Sequence, residues 1–139
     1  MSLFNSINSA ATALEAQTIR LNTISSNLAN ANTVSSTPET AYRGQHVVFE
    51  TIYDNARGVF DDVSAGVQVS RIALNDQPPR QEYSPGHPMA DEEGFVYRAT
   101  VNSVEEIADM VEASRSYQSN IEVMNSTKQL ILRTLTLGR

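Results

Sequence analysis

The sequence predicts a mainly α-helical fold in which two long terminal helices enclose a small β insertion. Apolar residues recur at helical spacing at both ends of the 139-residue chain. All five prolines and five of the six glycines fall between Pro38 and Gly94, and these two residue types interrupt regular structure. The predicted organisation is therefore an N-terminal helix in residues 1–38, a β-rich middle segment in residues 39–100 and a C-terminal helix in residues 101–139.

The N-terminal helix is indicated by two rows of apolar residues. The main row recurs every seven residues and consists of Ile7, Leu14, Leu21 and Leu28. The second row, at coiled-coil offsets from the first, contains Leu3, Ala10 and Ile24, and the polar Gln17 interrupts it. These rows predict a helix with a narrow apolar seam.

The remaining surface of this helix is polar but almost uncharged. The first 34 residues contain six Asn, five Ser and four Thr, against only Glu15 and Arg20 as charged residues. Small neutral side chains can hydrogen-bond to neighbouring protein without desolvating an ion. This face is therefore predicted to contact protein rather than water, with a poorly ordered N-terminus as the alternative.

The C-terminal helix is predicted from about Val104 to Leu137. Its apolar stripe consists of Ile107, Met110, Tyr117, Ile121, Met124, Ile131 and Leu135. Ser103 and Glu106 have the spacing of a capping box, and Gly138 is the predicted stop. The segment QLILRTLTL places apolar residues around much of the helix circumference, which predicts several neighbours rather than a single partner helix.

The middle segment is predicted to be the solvated part of the protein. Residues rich in Val, Ile, Phe and Tyr indicate strands at 46–53, 67–74 and 95–99. Residues 39–98 contain ten acidic and five basic residues, whereas the two helical ends are nearly neutral. Because charge keeps a surface soluble, the helices are the parts expected to become covered.

Composition excludes several classes of function. The chain has no cysteine, a net charge of −6 and no cluster of Lys or Arg, so we expect no thiolate chemistry and no nucleic-acid partner. No apolar run reaches the roughly 18 residues of a membrane span, so no membrane insertion is expected. The N-terminus lacks the charged and apolar parts of a signal peptide.

No catalytic motif is present, and the sequence predicts neither an enzyme nor a cofactor. The one alternative is the segment SPGHPMADEEG, where His87 and the carboxylates of Asp91, Glu92 and Glu93 could bind a divalent cation. A charged turn between Pro and Gly residues is the favoured interpretation. The adjacent Asp61 and Asp62 are interpreted as solvated loop residues.

Four stretches carry a family resemblance across nearly the whole chain. They read LNTISSNLANANTV, AYRGQHVVFE, EYSPGHPMADEEGFV and ASRSYQSNIEVMNSTKQLILRTLTLG. Together they resemble the bacterial flagellar axial proteins, which comprise rod, hook and hook-associated subunits, and most of all the short subunits of the proximal rod. A free-standing coiled-coil oligomer or adaptor is the alternative to this interpretation.

The resemblance implies a structural subunit of a helical tube that transmits torque from motor to hook. Its expected partners are copies of itself, other rod subunits and the flagellar type III export apparatus. Its expected location is the basal-body rod where it crosses the periplasm, after export without a cleaved signal peptide. The terminal helices would form an antiparallel coiled-coil pair in the inner wall of the tube, with the β segment outside.

The resemblance also implies which residues pack in the assembly. Asn27, Asn30 and Asn32 would form lateral contacts and hydrogen bonds between subunits. If the seven-residue steps of both helices match, the predicted pairs are Leu28 with Met110, Leu21 with Tyr117, Leu14 with Met124, and Ile7 with Ile131.

Overall fold

The computed structural model describes residues 3–53 and 64–137, and it confirms the predicted fold class of two long helices around a small β region. The elements in chain order are α1 (Leu3–Asn30), β1 (Val34–Ser35), β2 (Gln45–Tyr53), β3 (Ser64–Leu74), β4 (Arg80–Tyr83), β5 (Phe95–Arg98) and α2 (Ser103–Leu137). The predicted features at Asp61, Asp62 and Gly138 lie outside the described residues.

The two helices pack against each other in antiparallel directions. Asn27 of α1 hydrogen-bonds Glu106 near the start of α2, and Arg20, two turns earlier in α1, pairs with Asp109 and Glu112 further along α2. Residue numbers therefore fall along one helix as they rise along the other. At this level α2 presents Ala113, which is 0% exposed, and its small side chain allows the two helix backbones to approach closely.

The register of the helix pair differs from the predicted one. Pairing Leu28 with Met110 would place Asn27 opposite Val111, whereas Asn27 bonds Glu106, more than one helical turn earlier in α2. The predicted register assumes that the contact between the helices is a purely apolar seam. Here the buried amide of Asn27 requires a partner, and its hydrogen bond sets the register instead.

The buried face of α1 is also rotated relative to the predicted seam. Its buried residues are Ala10, Ala16, Thr23, Ile24 and Asn27. The main apolar row of α1, from Ile7 to Leu28, is only half-buried, and Leu3 is exposed. The physical reason is that α1 contacts α2 on one side and the β2–β3 hairpin on another. The part of α1 between these two contacts has little space, and mostly small residues occupy it.

The predicted apolar stripe of α2 is divided between two faces. Met110, Tyr117, Met124 and Ile131 are half-buried. Three other members of the stripe are exposed, namely Ile107, Ile121 and Leu135. The buried positions of this helix recur at multiples of seven residues and include Glu106, Ala113 and Thr127.

The start of α2 differs from the predicted capping box. The side chain of Asn102 accepts a hydrogen bond from the Val104 N–H at 3.1 Å, and its carbonyl accepts one from the Glu106 N–H at 3.0 Å. Asn102 is therefore the N-cap, and Ser103 is already helical. The Glu106 side chain bonds Asn27 of α1 rather than the helix start.

The β region consists of two small antiparallel sheets. Strands β2 and β3 form a hairpin in which Gln45 pairs with Leu74 and Thr51 pairs with Val67. Strand β5 lies between β1 and β4 in the second sheet. The predicted strands correspond to β2, β3 and β5. Strands β1 and β4 were not predicted, because β1 has two residues and the sequence of β4 is the polar RQEY.

The hairpin contacts α1 through a close approach at Gly66. The Thr12 hydroxyl donates to the Ser9 carbonyl at 3.0 Å and accepts a hydrogen bond from the Val67 N–H at 3.3 Å. A Cβ atom added at Gly66 would overlap the Thr12 Oγ1 atom and would lie 3.2 Å from the Thr12 Cβ atom. Only glycine allows this strand to lie directly on the helix.

We expect Gly66→Ala to destabilise the protein by about 1–3 kcal/mol, because the added methyl group must push the hairpin away from α1. Urea denaturation monitored by circular dichroism measures this change. Gly86→Ala is the matched control, since a Cβ atom there meets nothing within 4 Å. Equal midpoints for the two variants would contradict the proposed contact.

Candidate assembly site

The Asn27 side chain lies where α1, β2 and α2 meet. It is only 1% exposed, and it is the largest fully buried side chain among the described residues. Its Nδ2 donates to the Gln45 carbonyl at 2.8 Å and to Glu106 Oε1 at 2.9 Å. Its Oδ1 accepts from the Gln45 N–H at 2.9 Å and from the Tyr42 hydroxyl at 3.1 Å. We call Asn27, Tyr42, Gln45 and Glu106 the Asn27 junction.

The junction satisfies the full hydrogen-bonding capacity of the amide. A side-chain amide has two N–H donors and an oxygen with two lone pairs, and Asn27 uses each of them. A substitution here would leave several buried groups unpaired at the same time. The junction therefore fixes the position of the β2 strand relative to both helices.

The Glu106 carboxyl group has an unusual environment. It is 6% exposed, and this burial raises its pKa, while the hydrogen bond from Asn27 and the charge of His46 act in the opposite direction. A cleft of about 330 Å³ lies beside it and includes Arg20, His46 and Asp109 in its lining. Arg20 is turned toward Asp109, at 3.3 Å, rather than toward Glu106.

The three asparagines of the SNLANAN stretch have different roles within the subunit. Asn27 is the centre of the junction. Asn30 donates to the Ser26 carbonyl of its own helix at 2.9 Å, and Asn32 is exposed. Asn27 therefore acts inside the subunit, whereas the predicted contacts of Asn30 and Asn32 with neighbouring subunits remain predictions.

The other members of the junction were not predicted from the sequence. Glu106 was interpreted as a capping residue, and neither Tyr42 nor Gln45 was selected. The signal available in the sequence was Asn27 itself, an asparagine in a stretch of α1 that has no charged residues. It indicates a buried hydrogen-bonding partner but does not say where in the chain that partner lies.

A large part of the apolar surface of α2 is exposed in the subunit. Val104, Ile107 and Val111 are spaced as one helix face and are exposed, Val104 by 76%. The second half of α2 exposes a further set, which consists of Ile121, Val123, Leu130, Leu132 and Leu135. Exposed large apolar side chains at this density on one helix indicate an interaction surface. It agrees with the prediction that the end of α2 requires several neighbours.

The acidic turn of the β region is a structural turn built around Asp91. Its Oδ1 accepts hydrogen bonds from the N–H groups of Phe95 at 2.8 Å and Glu93 at 3.0 Å, and its Oδ2 accepts one from the Tyr97 hydroxyl at 3.3 Å. These bonds, led by that of Phe95, lower the Asp91 pKa. Gly94 completes the turn with a φ of 86°, a backbone conformation that favours glycine.

The geometry of this turn gives His87 a local role. Its Nδ1 accepts a hydrogen bond from the Met89 N–H at 3.1 Å. Within residues 3–53 and 64–137, no group of three or more His, Asp or Glu side chains is arranged to hold a metal ion. In the same ranges, no helix is both long and apolar enough to cross a membrane.

These features indicate a structural subunit, a helix pair joined to a β region by a buried junction, with exposed apolar side chains on its helices. Two family models match the chain. One, described as flagella basal body rod protein, matches residues 7–34. The other, described as flagellar basal body rod FlgEFG protein C-terminal, matches residues 92–137.

Similar proteins match over the full length of the chain. The flagellar basal-body rod protein FlgC of Salmonella typhimurium is 42% identical over 139 residues, which cover 100% of both chains. The protein of the same name from Borreliella burgdorferi is 38% identical, covering 99% of this chain and 98% of its own. That of Bacillus subtilis is 33% identical, covering 100% of both.

The chain belongs to the flagellar basal-body rod protein family, and it is a structural rod subunit of the flagellar basal body. This result replaces the alternative of a free-standing coiled-coil oligomer or adaptor. Membership of the family implies assembly with other rod proteins. The uncovered faces of α2 are then the candidate surface for that assembly.

We expect Asn27→Ala to destabilise the subunit strongly, because each buried group left without a partner costs about 1–3 kcal/mol. Chemical denaturation measures the loss. Asn30→Ala is the matched control, since it removes only a hydrogen bond within one helix. If both variants lost the same small amount of stability, the junction would not be the main link between the helices and β2.

We expect Asp91→Ala to lower the thermal midpoint at neutral pH, while Glu92→Ala, at an exposed position beside it, leaves the midpoint nearly unchanged. The folded pKa of Asp91 is lowered, so its stabilisation is present above the ordinary value of 3.8 and is lost as the pH falls through the folded pKa. Thermal unfolding at a series of pH values checks this. A difference between wild type and Asp91→Ala that persists unchanged in strong acid would contradict the role of the carboxylate.

Proposed function

We propose that the chain is a subunit of the proximal rod that assembles into a helical tube and transmits torque from motor to hook. In this proposal, residues 1–38 and 101–139 form the helical domain of the inner wall, and residues 39–100 form the β-rich segment outside it. The proposal assigns no catalytic step and no cofactor to the chain. The observation that carries it is the exposed apolar surface of α2 in a member of the rod family.

The distribution of charge supports close packing between subunits. Residues 1–38 contain only Glu15 and Arg20 as charged residues, and Arg20 is already paired within the subunit. Neighbouring helices can therefore approach α1 away from Glu15 without desolvating ions. Copies of this chain and other rod subunits are the proposed neighbours, and Asn32 is a proposed polar contact between them.

The Asn27 junction supports a mechanical role. A subunit that passes torque must not let its β region rotate against its helices. Four hydrogen bonds from one buried side chain resist such rotation because they join three separate chain segments. We further propose that the chain reaches the part of the rod that crosses the periplasm through the flagellar type III export apparatus.

Val111→Glu tests the assembly surface, because glutamate is a good helix former and an exposed charge leaves the isolated subunit folded. Burial of the unpaired carboxylate against a neighbour would cost several kcal/mol at each subunit. We expect full-length, normally stable protein but non-motile cells without rods when a deletion strain carries this variant. Electron microscopy of isolated basal bodies provides the measurement.

The control for this experiment is Gln81→Glu, which adds the same charge at an exposed position of β4. It should restore motility. Rods of normal number and length built from the Val111→Glu subunit would refute this surface. A Val111→Glu protein that unfolds more easily than wild type would show that the residue acts within the subunit instead.

A further inference from the structure

The Glu106 carboxyl group is buried without a compensating cation. Its one hydrogen bond comes from the neutral amide of Asn27, at 2.9 Å. No ion pair joins Glu106 to another residue within the described ranges. A buried carboxylate supported by a single neutral donor is poorly stabilised, because the charged form loses its hydration without gaining an opposite charge.

The charged groups on the helices packed around Glu106 do little to stabilise its carboxylate. On α1, Arg20 is held by Asp109 at 3.3 Å and Glu112 at 3.6 Å. On α2, the acidic Asp109 and Glu105 both disfavour a further negative charge.

Arg80 of β4 and Arg98 of β5 line a second cleft that also includes Glu106, but no ion pair joins either of them to Glu106 within the described residues. Two other titratable groups lie near the junction, one on β2 and one in the segment before it. On β2, His46 favours the carboxylate through its charge but makes no ion pair with it. In the segment before β2, the Tyr42 hydroxyl bonds Asn27 rather than Glu106. Neither group supplies a contact that would hold the charged form of Glu106.

We propose that closure of the Asn27 junction takes up one proton from solvent at Glu106, so that mild acidity favours the closed subunit, in which β2 is locked to both helices. When Glu106 is protonated in the closed state, Oε1 continues to accept the hydrogen bond from Asn27 while Oε2 carries the proton. The adjoining cleft of about 330 Å³ has room for a water molecule to accept a hydrogen bond from that hydroxyl group. This device does not depend on the assembly role of the chain.

The direction of the pH dependence follows from the environment of the group. Burial raises the folded pKa of Glu106 above the ordinary value of 4.5. The folded state therefore holds the proton more tightly than the unfolded state. Stability is highest with respect to this group below pH 4.5, falls as the pH rises through the folded pKa, and is constant above it.

Other carboxyl groups act in a separate pH range. The hydrogen bond and charge of Arg98 lower the pKa of Glu82, and the Phe95 N–H lowers that of Asp91. Their stabilising contributions are present at higher pH and are lost only as the pH falls through their lowered pKa values. Above pH 4.5, a fall in stability with rising pH can therefore come from Glu106 but not from Glu82 or Asp91.

The test is a carboxyl-carbon NMR titration of the full chain, combined with urea denaturation of wild type and Glu106→Gln at a series of pH values. We expect Glu106 to titrate above the ordinary pKa value of 4.5. Glu122, an exposed glutamate of the same helix, is the site of the control substitution. We also expect the urea midpoint of wild type to fall between pH 4.5 and neutrality, and that of Glu106→Gln to stay level. The two midpoints should therefore diverge as the pH rises.

The matched control is Glu122→Gln, which should keep the pH dependence of wild type. Titration of Glu106 at or below pH 4.5 would overturn the inference, as would a Glu106→Gln protein whose midpoint follows the pH as steeply as that of wild type. If Glu106→Gln is too unstable to compare, the NMR titration of wild type decides alone. A normal titration of Glu106 would then overturn the inference.

Discussion

The buried amide of Asn27 is the constraint on which the arrangement of this subunit depends. A side chain that is 1% exposed cannot use water as a partner, so each of its donors and acceptors must meet protein. Its partners come from α2, from the first residue of β2 and from the segment before it. Tyr42 and Gln45 are close in sequence, but Glu106 is far from both, and the amide of Asn27 brings them to one point.

The subunit buries small and polar residues on its helices and leaves several large apolar residues exposed. Asn27, Glu106 and the small Ala113 are buried, while Ile107, Val111 and Leu132 of α2 are exposed. Hydrogen bonds hold the pair in one register, and large apolar side chains are left for neighbours. This combination suits a rod subunit, because the subunit keeps its own shape and still has exposed apolar side chains for contact with other rod proteins.

The fold could be predicted from the sequence because its signals are local. Heptad spacing identified both helices, and Pro and Gly residues delimited the β region, where three strands were found from their Val, Ile, Phe and Tyr content. The four-residue β4 escaped prediction because a polar edge strand has no apolar alternation. The N-cap of α2 was misplaced by one residue, since Asn102 and Ser103 are both good caps and only the backbone geometry selects between them.

The candidate site was predicted only in part, because its contacts are not local. The asparagine-rich stretch pointed to a face that contacts protein, yet the sequence could not show that Asn27 bonds within its own subunit. The register was predicted wrongly for the same reason. Matched apolar steps suggested Leu28 beside Met110, but the partner of a buried amide depends on where β2 lies in three dimensions. The spacing of Glu106 from Ser103 already fitted a capping box, so nothing in the sequence suggested its contact with Asn27.

Native-state hydrogen exchange at the Gln45 backbone amide tests the central role of Asn27 most directly. This N–H donates to Asn27 Oδ1 at 2.9 Å, so it should exchange only when the junction opens. The account predicts that its opening free energy equals that of the amides around Asn27 in α1 and Ala113 in α2. Exchange at Gln45 as fast as at an exposed loop amide, while α1 and α2 stay protected, would contradict it.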